Sequence, residues 1–477
     1  MIRKMMILVG LVLLMTGCDQ HQQAEKTKES TADRPNIIFI LTDDQRFDSL
    51  GYAGNNIIQT PEMDKLAQEG VYFKNALVTT PICSASRASI FSGRYERAHR
   101  YTFGPDPLRP EFVEDSYPSL LKKAGYYSGF IGKFGVGMPE PEAMFDEFEY
   151  LWVDDDPDNP GFYHKDKKFD GNTVHLTRYA GQRALEFIES APRDRPFALS
   201  LSFNAPHAHD ESEQQYFWQE EVGHLYQDMT MPEPVLADDE YFERLPKAVR
   251  KGFNRERWAW RYDTPEKYQH SVKGYFRMLA GIDLEIAKIR DKLAEEGLDD
   301  NTVIIFMGDN GYFLGERQLA GKWLMYDRSI RVPLIIYDPR VKEHRDIDDM
   351  ALNIDVTATI VDLAGIDIPA GYHGKSLVPI VTGDMASLSR DAVLIEHLWE
   401  FPDIPASEGV RTDEWKYLRY IDDPSIEELY DLREDPGEMI NLANDADHQG
   451  TMAEIRARLE QLTTRYSAPG NTASKAH

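Results

Sequence analysis

The sequence predicts an α/β protein with a large, mostly parallel mixed sheet flanked by helices, and a smaller C-terminal subdomain with an antiparallel sheet. Two continuous apolar runs, 36–41 and 303–307, have the composition of strands buried on both faces. Amphipathic helical patterns alternate with such strands, which favours parallel pairing. At 477 residues the chain exceeds what one core usually supports, so we expect one large and one smaller domain.

The N-terminus has the features of a targeting segment, which we place at 1–18 and exclude from the fold. A basic start precedes an apolar stretch at 5–15 that is too short for an ordinary transmembrane helix. The residues Leu-Met-Thr-Gly-Cys at its end resemble a bacterial lipobox, so we expect lipidation of Cys18 and export to the cell envelope. A plain signal peptide is the alternative. Residues 19–34 are polar, as in a flexible tether, so the chain meets the membrane only through its lipid.

The charge balance argues against nucleic acid as a partner. Lys and Arg number 53 against 81 Asp and Glu, which gives a formal net charge of −28. Such a surface repels polyanions unless salt screens it, so an anionic substrate needs a locally basic pocket. The two cysteines are Cys18 and Cys83, and with Cys18 assigned to the lipid no disulfide framework remains.

Oxygen-bearing side chains follow both apolar strands. Asp43 and Asp44 come after the first strand, and Asp309 and Asn310 come after the second. Open α/β sheets bind ligands at the carboxyl ends of their strands. An all-oxygen set favours Ca²⁺ or Mg²⁺ over zinc. Taken singly, the first pair could be solvated charges and the second a turn, so the recurrence is what indicates a metal site.

Two more predicted strands lead to basic residues. The run 127–132 leads to Lys133, and the run 197–203 leads to His207. A helical pattern at 173–189 lies between them and completes the alternating order. A lone lysine or histidine in a loop is more often a surface residue, so their placement after successive strands is what indicates a site.

Cys83 opens a helix-compatible run at 84–92 that Gly93 closes. A side chain at a helix N-terminus faces unpaired N–H groups, a setting that suits an anionic substrate. Arg87 lies one turn further on the same face and can hold an oxyanion through its fork of donors. On spacing alone, a small buried hydrophobe is an equal alternative for Cys83.

The residues Cys-Ser-Ala-Ser-Arg at 83–87 resemble the Cys-x-Pro/Ala-x-Arg signature of the formylglycine sulfatases, a branch of the alkaline-phosphatase superfamily. Ala85 stands where many members have proline. The resemblance implies an alkaline-phosphatase-like sheet and oxidation of Cys83 to formylglycine (3-oxoalanine) by a formylglycine-generating maturation enzyme. It also implies a cation site, with Ca²⁺ favoured over Mg²⁺, whose ligands are Asp43, Asp44, Cys83 as formylglycine, Asp309 and Asn310.

The same resemblance assigns roles to three further residues. Lys133 matches the lysine that contacts the sulfate, and His207 matches the histidine that acts on the leaving oxygen. Lys322 matches the second lysine, which contacts the sulfate and the leaving group. Gly135 stands where many members carry a histidine that helps to release sulfate. His209 or the acidity of a metal-bound hydroxyl are the candidates to replace that histidine.

The segment 210–270 lacks clear periodicity and is rich in charge and aromatic residues, which is typical of a functional loop or lid. We expect it to set substrate specificity, with aromatic faces stacked on sugar rings; a satellite hydrophobic cluster is the alternative. A long amphipathic helix at 271–293 follows it. The aromatic residues in question include Trp218, Tyr226, Trp258, Trp260 and Tyr262.

The last part of the chain changes character. A helix at 353–364 ends before Gly365, and shorter strands follow, in a region that resembles the sulfatase C-terminal subdomain. We expect the strands at 392–397, 408–412 and 415–421, and a final helix at 452–466. The predicted domains are a catalytic α/β domain at 35–385, a C-terminal subdomain at 386–466 and a tail at 467–477.

The joint occurrence of these motifs identifies the chain as a member of the formylglycine sulfatases, which implies hydrolysis of sulfate esters. An exported, lipid-anchored enzyme with an aromatic-rich segment suggests a sulfated polysaccharide or its oligosaccharides rather than small aryl or alkyl sulfates. The resemblance implies that formylglycine hydrate attacks sulfur, that the cation, Arg87, Lys133 and Lys322 neutralise the sulfate oxygens, and that His207 protonates the leaving group. The alternatives are a phosphoester or phosphonate hydrolase of the same superfamily and, because of Gly135, a non-catalytic protein that binds sulfated glycans.

Overall fold

The structure, a computed structural model, describes residues 34–467 apart from 105, 152–167, 170–171 and 211. The predicted targeting segment, Cys18, nearly all of the tether at 19–34 and nearly all of the tail at 467–477 lie outside the described residues. Within the described part of the chain, every helix is too short or too polar to cross a bilayer.

The strands and helices are numbered in chain order. The strands are β1 (Asn36–Thr42), β2 (Val71–Leu77), β3 (Tyr127–Gly132), β4 (Glu147–Tyr150), β5 (Lys168–Phe169), β6 (Asn172–Thr173), β7 (Phe197–Ser202), β8 (Thr302–Gly308), β9 (Phe313–Leu314), β10 (Ala320–Gly321), β11 (Leu334–Tyr337), β12 (Arg345–Leu352), β13 (Val393–His397), β14 (Ser407–Arg411), β15 (Trp415–Tyr420) and β16 (Glu427–Asp431). The helices are α1 (Pro61–Glu69), α2 (Cys83–Ser92), α3 (Glu96–His99), α4 (Pro110–Glu114), α5 (Tyr117–Lys123), α6 (Leu176–Ser190), α7 (Asp239–Glu243), α8 (Lys247–Arg250), α9 (Phe253–Arg261), α10 (Pro265–Glu295), α11 (Asp327–Ile330), α12 (Asn353–Leu363), α13 (Val378–Thr382) and α14 (Gln449–Tyr466).

An eight-stranded sheet with the order β12-β2-β11-β8-β1-β7-β3-β4 forms the centre of the molecule. Strand β11 is antiparallel to both of its neighbours, and the other pairs are parallel. A second, four-stranded antiparallel sheet has the order β13-β14-β15-β16. The predicted fold class is therefore confirmed.

Strand β1 shows why the central sheet needs helices on both faces. Ile37 and Phe39 belong to one hydrophobic core, whereas Ile38 and Ile40 belong to the other. This alternation follows from the two-residue period of a strand. Helices α2, α5 and α12 contribute to the first core, and α1, α6 and α10 contribute to the second.

The register of the sheet brings four strand ends to one edge. Leu41 of β1 and Gly132 of β3 both pair with Ser202 of β7, and Thr42 of β1 pairs with Gly308 of β8. The loops that begin with Asp43, Lys133, Phe203 and Asp309 therefore start side by side. This is the arrangement that the sequence predicted for the carboxyl ends of the strands.

Four helical predictions needed correction. Helix α14 begins at Gln449, three residues before the predicted start at 452. Helix α6 begins three residues later than the predicted 173–189, where the His175 ring accepts a hydrogen bond from the backbone of Thr177. Helix α10 begins at Pro265 because Thr264 caps it, six residues before the predicted start. The segment 210–270 is not irregular throughout, because it contains α7, α8, α9 and the first turn of α10. These helices are short, so they show little periodicity in sequence.

The C-terminal sheet shares a hydrophobic core with one face of the central sheet. Helix α14 packs on it through the four apolar residues that the sequence predicted, and these are buried. Lys416 of β15 is fully buried and forms ion pairs with Asp327 and Glu438. Buried charges of this kind are stable only when they are paired, so they tie the second sheet to the loop before β11. The four packing residues of α14 are Met452, Ile455, Leu459 and Leu462.

Candidate active site

Cys83 is the first residue of α2, and its side chain is 6% exposed. Ile82, in an extended conformation, precedes it, and Gly93 ends the helix in the left-handed conformation as predicted. Cys83 is a free cysteine and lines a cavity of about 780 Å³ at the carboxyl edge of the sheet. It is therefore a buried side chain with access to a space large enough for a small substrate.

Arg87 connects helix α2 to two of the strand ends. Its Nε donates to Asp309 Oδ2 at 2.9 Å, and its Nη1 donates to Lys133 O and Ser202 Oγ, both at 2.6 Å. Its Nη2 is buried and has no hydrogen-bond partner among the described residues. The guanidinium is thus fixed in place with one NH₂ group still able to bind an oxyanion.

The predicted cation ligands lie together. Asn310 Nδ2 donates to Asp44 Oδ1 at 2.7 Å, and the Asp44 backbone N–H donates to Asp309 Oδ1 at 3.0 Å. Three buried oxygens, Asp43 Oδ1, Asp44 Oδ2 and Asn310 Oδ1, have no donor among the described residues. Unpaired buried oxygens cost about 1–3 kcal/mol each, and a hard cation would satisfy all three. The donor set therefore fits Ca²⁺ or Mg²⁺.

His207 also belongs to this cluster, although the sequence did not predict it as a ligand. Potential ligand atoms of Asp43, Asp44 and His207 all lie within 4.8 Å of one another. His207 Nδ1 lies 2.6 Å from Ala208 O, and a carbonyl can only accept, so Nδ1 carries a proton. His207 Nε2 is therefore the atom that faces Asp44 Oδ2, at 3.6 Å.

The two predicted lysines also reach the carboxylates. Lys133 forms an ion pair with Asp43 Oδ2, and Lys322 Nζ donates to Asp44 Oδ1 at 2.6 Å. Both lysines are at least 96% buried and line the same cavity as Cys83. The structure therefore brings every predicted catalytic and ligand residue to one place.

The charges in the site shift each other's pKa values. Burial and the neighbouring Asp43 carboxylate raise the pKa of Asp309 to about 7. Burial acts on Asp43 as well, but Lys133 and the other basic groups outweigh it and hold the pKa of Asp43 below the ordinary range. Burial and the positive charge of Lys322 lower the pKa of His207 to about 4. The His207 ring is therefore neutral at pH 7.

Gly135 has no room for a side chain. Its φ is +69°, and a Cβ there would lie 2.9 Å from Cδ of Arg87. The Gly135 carbonyl accepts a hydrogen bond from Ser84 Oγ at 2.7 Å, so the loop is held against helix α2. The histidine that many sulfatases carry at this position would displace Arg87 here.

The aromatic residues of the cavity wall are not those that the sequence predicted. None of the five aromatic residues named between 210 and 270 lines the cavity; Tyr226 and Tyr262 are core residues, and Trp258 packs against Arg255. These five residues therefore do not offer their faces to a sugar in the cavity, since Tyr226 and Tyr262 are buried in the core and the three tryptophans lie outside the cavity wall. Phe253 of the same segment does line the cavity. The aromatic lining consists of Tyr101, Phe103, Phe134, Phe148, Tyr150, Phe253, Trp323, Trp399 and Phe401.

Helix α9 supplies two site residues that sequence reasoning missed. Asn254 Nδ2 donates to Ala320 O and Lys322 O, both at 2.9 Å, and so holds the loop that carries Lys322. Arg257, one turn further, lines the cavity beside Asp210. The spacing of polar residues at 254, 257 and 261, all buried, was the available signal.

Two family models match this chain. The model described as "Sulfatase" matches residues 35–366, and the model described as "N-sulphoglucosamine sulphohydrolase, C-terminal" matches residues 315–465. Among characterised proteins, the chain is similar to N-acetylglucosamine-6-O-sulfatase of Bacteroides thetaiotaomicron, with 26% identity over 531 aligned residues that cover 96% of this chain and 91% of the relative.

Solved structures show the same fold. One, of a protein in complex with its substrate D-glucosamine-2-N,6-O-disulfate, has a TM-score of 0.76 at 24% identity and covers 93% of this chain and 100% of that one. A phosphonate monoester hydrolase from Silicibacter pomeroyi has a TM-score of 0.75 at 22% identity, with coverage of 93% and 98%. The fold therefore does not separate sulfatases from phosphonate hydrolases, whereas the matching family model and the relative above both have sulfatase names. Because that match spans residues 35–366, well over half of the chain, the protein belongs to the sulfatase family and is a sulfuric ester hydrolase of the alkaline-phosphatase superfamily.

Proposed function

We propose that this sulfatase hydrolyses sulfate esters of sulfated carbohydrates, using formylglycine formed from Cys83 and a divalent cation. The observation that carries the proposal is that Lys133, His207 and Lys322 line one cavity with Cys83 and also lie against the carboxylates of Asp43 and Asp44. Three buried oxygens of that carboxylate cluster have no donor among the described residues. The name of the relative from Bacteroides thetaiotaomicron, a sulfatase of an amino sugar, supports a carbohydrate substrate.

The chain's own residues account for binding of the sulfate. Arg87, Lys133 and Lys322 place positive charge around the space next to Cys83, which neutralises the sulfate oxygens as charge develops in the transition state. These groups are buried and already oriented by carboxylates, so little reorganisation is needed during the reaction. His207 Nε2 faces the same space. Because the proton of the neutral ring is on Nδ1, Nε2 must first accept a proton before it can give one to the leaving oxygen.

Two groups complete the chemistry. Formylglycine at position 83, as its hydrate, would supply the oxygen nucleophile that attacks sulfur. A cation held by Asp43, Asp44, Asp309 and Asn310 would acidify that hydroxyl and neutralise charge. The all-oxygen side-chain set suits Ca²⁺ or Mg²⁺, and the resemblance to the formylglycine sulfatases favours Ca²⁺. Ca²⁺ would also remove the like-charge effect that raises the pKa of Asp309.

The cavity favours a sugar over a small alkyl group as the alcohol. Its volume of about 780 Å³ exceeds what a short alkyl sulfate fills. Phe103, Tyr150 and Phe401 line it and remain 50%, 45% and 38% exposed, and Phe401 stacks on Trp399. Exposed aromatic faces beside a polar site are suited to the apolar faces of sugar rings.

The test is sulfate release by the full chain, co-expressed with a formylglycine-generating enzyme. The substrates are a panel of sulfated oligosaccharides, 4-nitrophenyl sulfate and a phosphonate monoester. We expect sulfate release from at least one oligosaccharide class, with a loss of about 10³-fold or more in Cys83→Ala. Cys18→Ala, which removes the other cysteine, is the matched control and should keep the activity.

The cation is tested separately by thermal melting of the inactive Cys83→Ala protein. After chelation, added Ca²⁺ should raise the melting temperature, and Asn310→Ala should reduce that rise because one oxygen ligand is lost. Phosphonate cleavage that is faster than all sulfate release would replace the proposed activity with that of a phosphonate hydrolase. Full activity in Cys83→Ala would exclude formylglycine.

A further inference from the structure

A cluster of two arginines and one aspartate forms part of the cavity wall. The carboxylate of Asp210 accepts hydrogen bonds from Arg257 and from Arg261, which lie one turn apart on α9. Burial raises the pKa of Asp210, but the two arginines outweigh it and hold that pKa below the ordinary range. With Asp210 ionised, the cluster has two positive charges and one negative charge. Its local charge is therefore positive in a protein whose formal net charge is −28.

Arg257 has donors that nothing in the described chain satisfies. Its residue is 4% exposed, and its Nε and Nη1 are buried without a hydrogen-bond partner. A buried donor without an acceptor destabilises the protein, and more so when the group is charged. Because Arg257 lines the cavity, an anionic group of a bound molecule could accept from these donors.

The guanidinium of Arg257 is held by its surroundings. It lies 4.6 Å from the ring centre of Trp323 and 5.2 Å from that of Phe253. A Cβ on Gly321, whose φ is +95°, would lie 3.1 Å from Arg257 Nη1, so the backbone approaches the guanidinium closely there. Aromatic faces on a guanidinium and a close backbone give a fixed, prearranged donor.

The cluster lies close to the reaction centre. Asp210 is three residues after His207 in the chain, and both line the cavity with Cys83 and Lys322. Asn254, one helical turn before Arg257, bonds directly to the Lys322 carbonyl.

We propose that Arg257 binds a second anionic substituent of the substrate, so that the enzyme is selective for sugars that carry a sulfate or carboxylate in addition to the sulfate it removes. This rests on the proposed function and specifies its substrate. Arg87, Lys133 and Lys322 hold the sulfate that reacts, and Arg257 holds the group that does not. The second group adds binding energy without taking part in the chemistry, so its loss affects substrate choice.

The experiment uses matched disaccharides of the class that the sulfate-release panel identifies. One member carries a single sulfate, one carries a second sulfate, and one carries a carboxylate as the second anion. The quantity measured is the ratio of kcat/KM for each doubly anionic member to that for the single sulfate. We expect a ratio above one in the wild type and a fall of about 10- to 100-fold in Arg257→Met, since a hydrogen bond to a charged group contributes about 1.5–3 kcal/mol.

Two further variants keep the test decisive. Arg244→Met is the matched control, because Arg244 is an exposed arginine that pairs with Glu240 and does not line the cavity; its ratio should equal that of the wild type. Asp210→Asn removes the competing negative charge, so its ratio should rise.

If Arg257→Met folds, an unchanged kcat/KM ratio in that variant would overturn the proposal. If it does not fold, an unchanged or lower ratio in Asp210→Asn would overturn it. The doubly anionic disaccharide with the larger ratio shows whether Arg257 prefers a sulfate or a carboxylate as the second anion. Absence of sulfate release from every member would instead contradict the proposed function itself, so the two failures are distinguishable.

Discussion

At the residue scale, Gly135 shows how tightly the site is built around Arg87. The guanidinium needs its contacts with Asp309, Lys133 and Ser202, and these leave its Cδ 2.9 Å from where a Cβ on residue 135 would be. The Gly135 backbone is also in the left-handed region, which costs an ordinary residue about 1–2 kcal/mol. The absent histidine is therefore part of a locally different arrangement, not an isolated loss.

We predict that Gly135→Ala lowers kcat/KM by about tenfold or more, and that Gly135→His gives no gain. The added Cβ pushes on Arg87, and a shift of the guanidinium weakens contacts that matter most in the transition state. Gly137→Ala is the matched control, since its Cβ would meet only Tyr101 Oη, at an ordinary 3.5 Å. Sulfate-release kinetics and melting curves of the three variants check this. A gain of activity in Gly135→His would show that the loop adapts.

The site residues fall into two groups, those that the sequence could locate and those that it could not. Asp43, Lys133 and Asp309 follow strands at predictable positions, so the order of strands and the family motifs located them. Asn254 and Arg257 could not be located in this way, because their hydrogen bonds join residues 47 to 68 positions apart in sequence. Such contacts depend on how α9 packs, which no local pattern records.

At the element scale, helix α9 and the β9–β10 hairpin act as one unit. Asn254 bonds to both the β10 carbonyl of Ala320 and the carbonyl of Lys322, and Arg255 donates to Gln318 Oε1 at 2.6 Å. The residue after Lys322 is then anchored to the loop before α2, since the Trp323 N–H donates to Pro81 O at 2.8 Å. The position of Lys322 relative to Cys83 therefore depends on a helix that lies outside the central sheet.

We predict that Asn254→Ala lowers kcat/KM by about tenfold while the protein stays folded. The substitution leaves two buried carbonyls without a donor, at about 1–3 kcal/mol each, and frees the loop that positions Lys322. Asn75→Ala is the matched control, because Asn75 Nδ2 donates to the Asp348 carbonyl at an exposed edge, at 2.8 Å. Kinetics on 4-nitrophenyl sulfate and melting temperature should separate the two. Equal activity in both variants would mean that the loop carrying Lys322 keeps its position without the hydrogen bonds from Asn254.

The sequence also predicts some helices and strands well and others poorly. The apolar strands β1 and β8 and helix α12 lie within one residue of their predicted bounds at each end. Strands such as β12 have no comparable signal, because its first residues are charged and partly exposed, and pairing with β2 gives it its form. The conformation of an edge strand depends on pairing with its neighbour, so amino-acid composition alone often fails to predict such a strand.

At the scale of the whole molecule, the two sheets behave as parts of one body. The residues that β13–β16 bury belong to the same hydrophobic core as those of β1 and β8. Arg97 of α3 pairs with Glu396 of β13 and Glu408 of β14, which adds a second buried charge contact between the parts. A boundary near residue 386 therefore marks a change of sheet rather than a division between independent cores.

The net charge of the molecule opposes its substrate at long range. The formal charge of −28 repels a polysulfated chain, while the basic groups that bind sulfate are buried around Cys83. Salt shortens the Debye length from about 30 Å at 0.01 M to about 10 Å at 0.1 M, so it screens the distant surface charges strongly. Buried contacts are screened much less, so added salt removes repulsion before it weakens binding.

We therefore predict that kcat/KM for a polysulfated oligosaccharide rises severalfold as NaCl increases from about 0.01 to 0.2 M, whereas kcat/KM for 4-nitrophenyl sulfate changes little. The longer anion experiences the whole protein field during approach, and the small monoanion experiences much less of it. Initial rates at constant pH and constant Ca²⁺ provide the comparison, with choline chloride in place of NaCl as the control for specific ion effects. A steady fall of kcat/KM for the oligosaccharide with salt would mean that a basic path on the surface, and not the net charge, governs its approach.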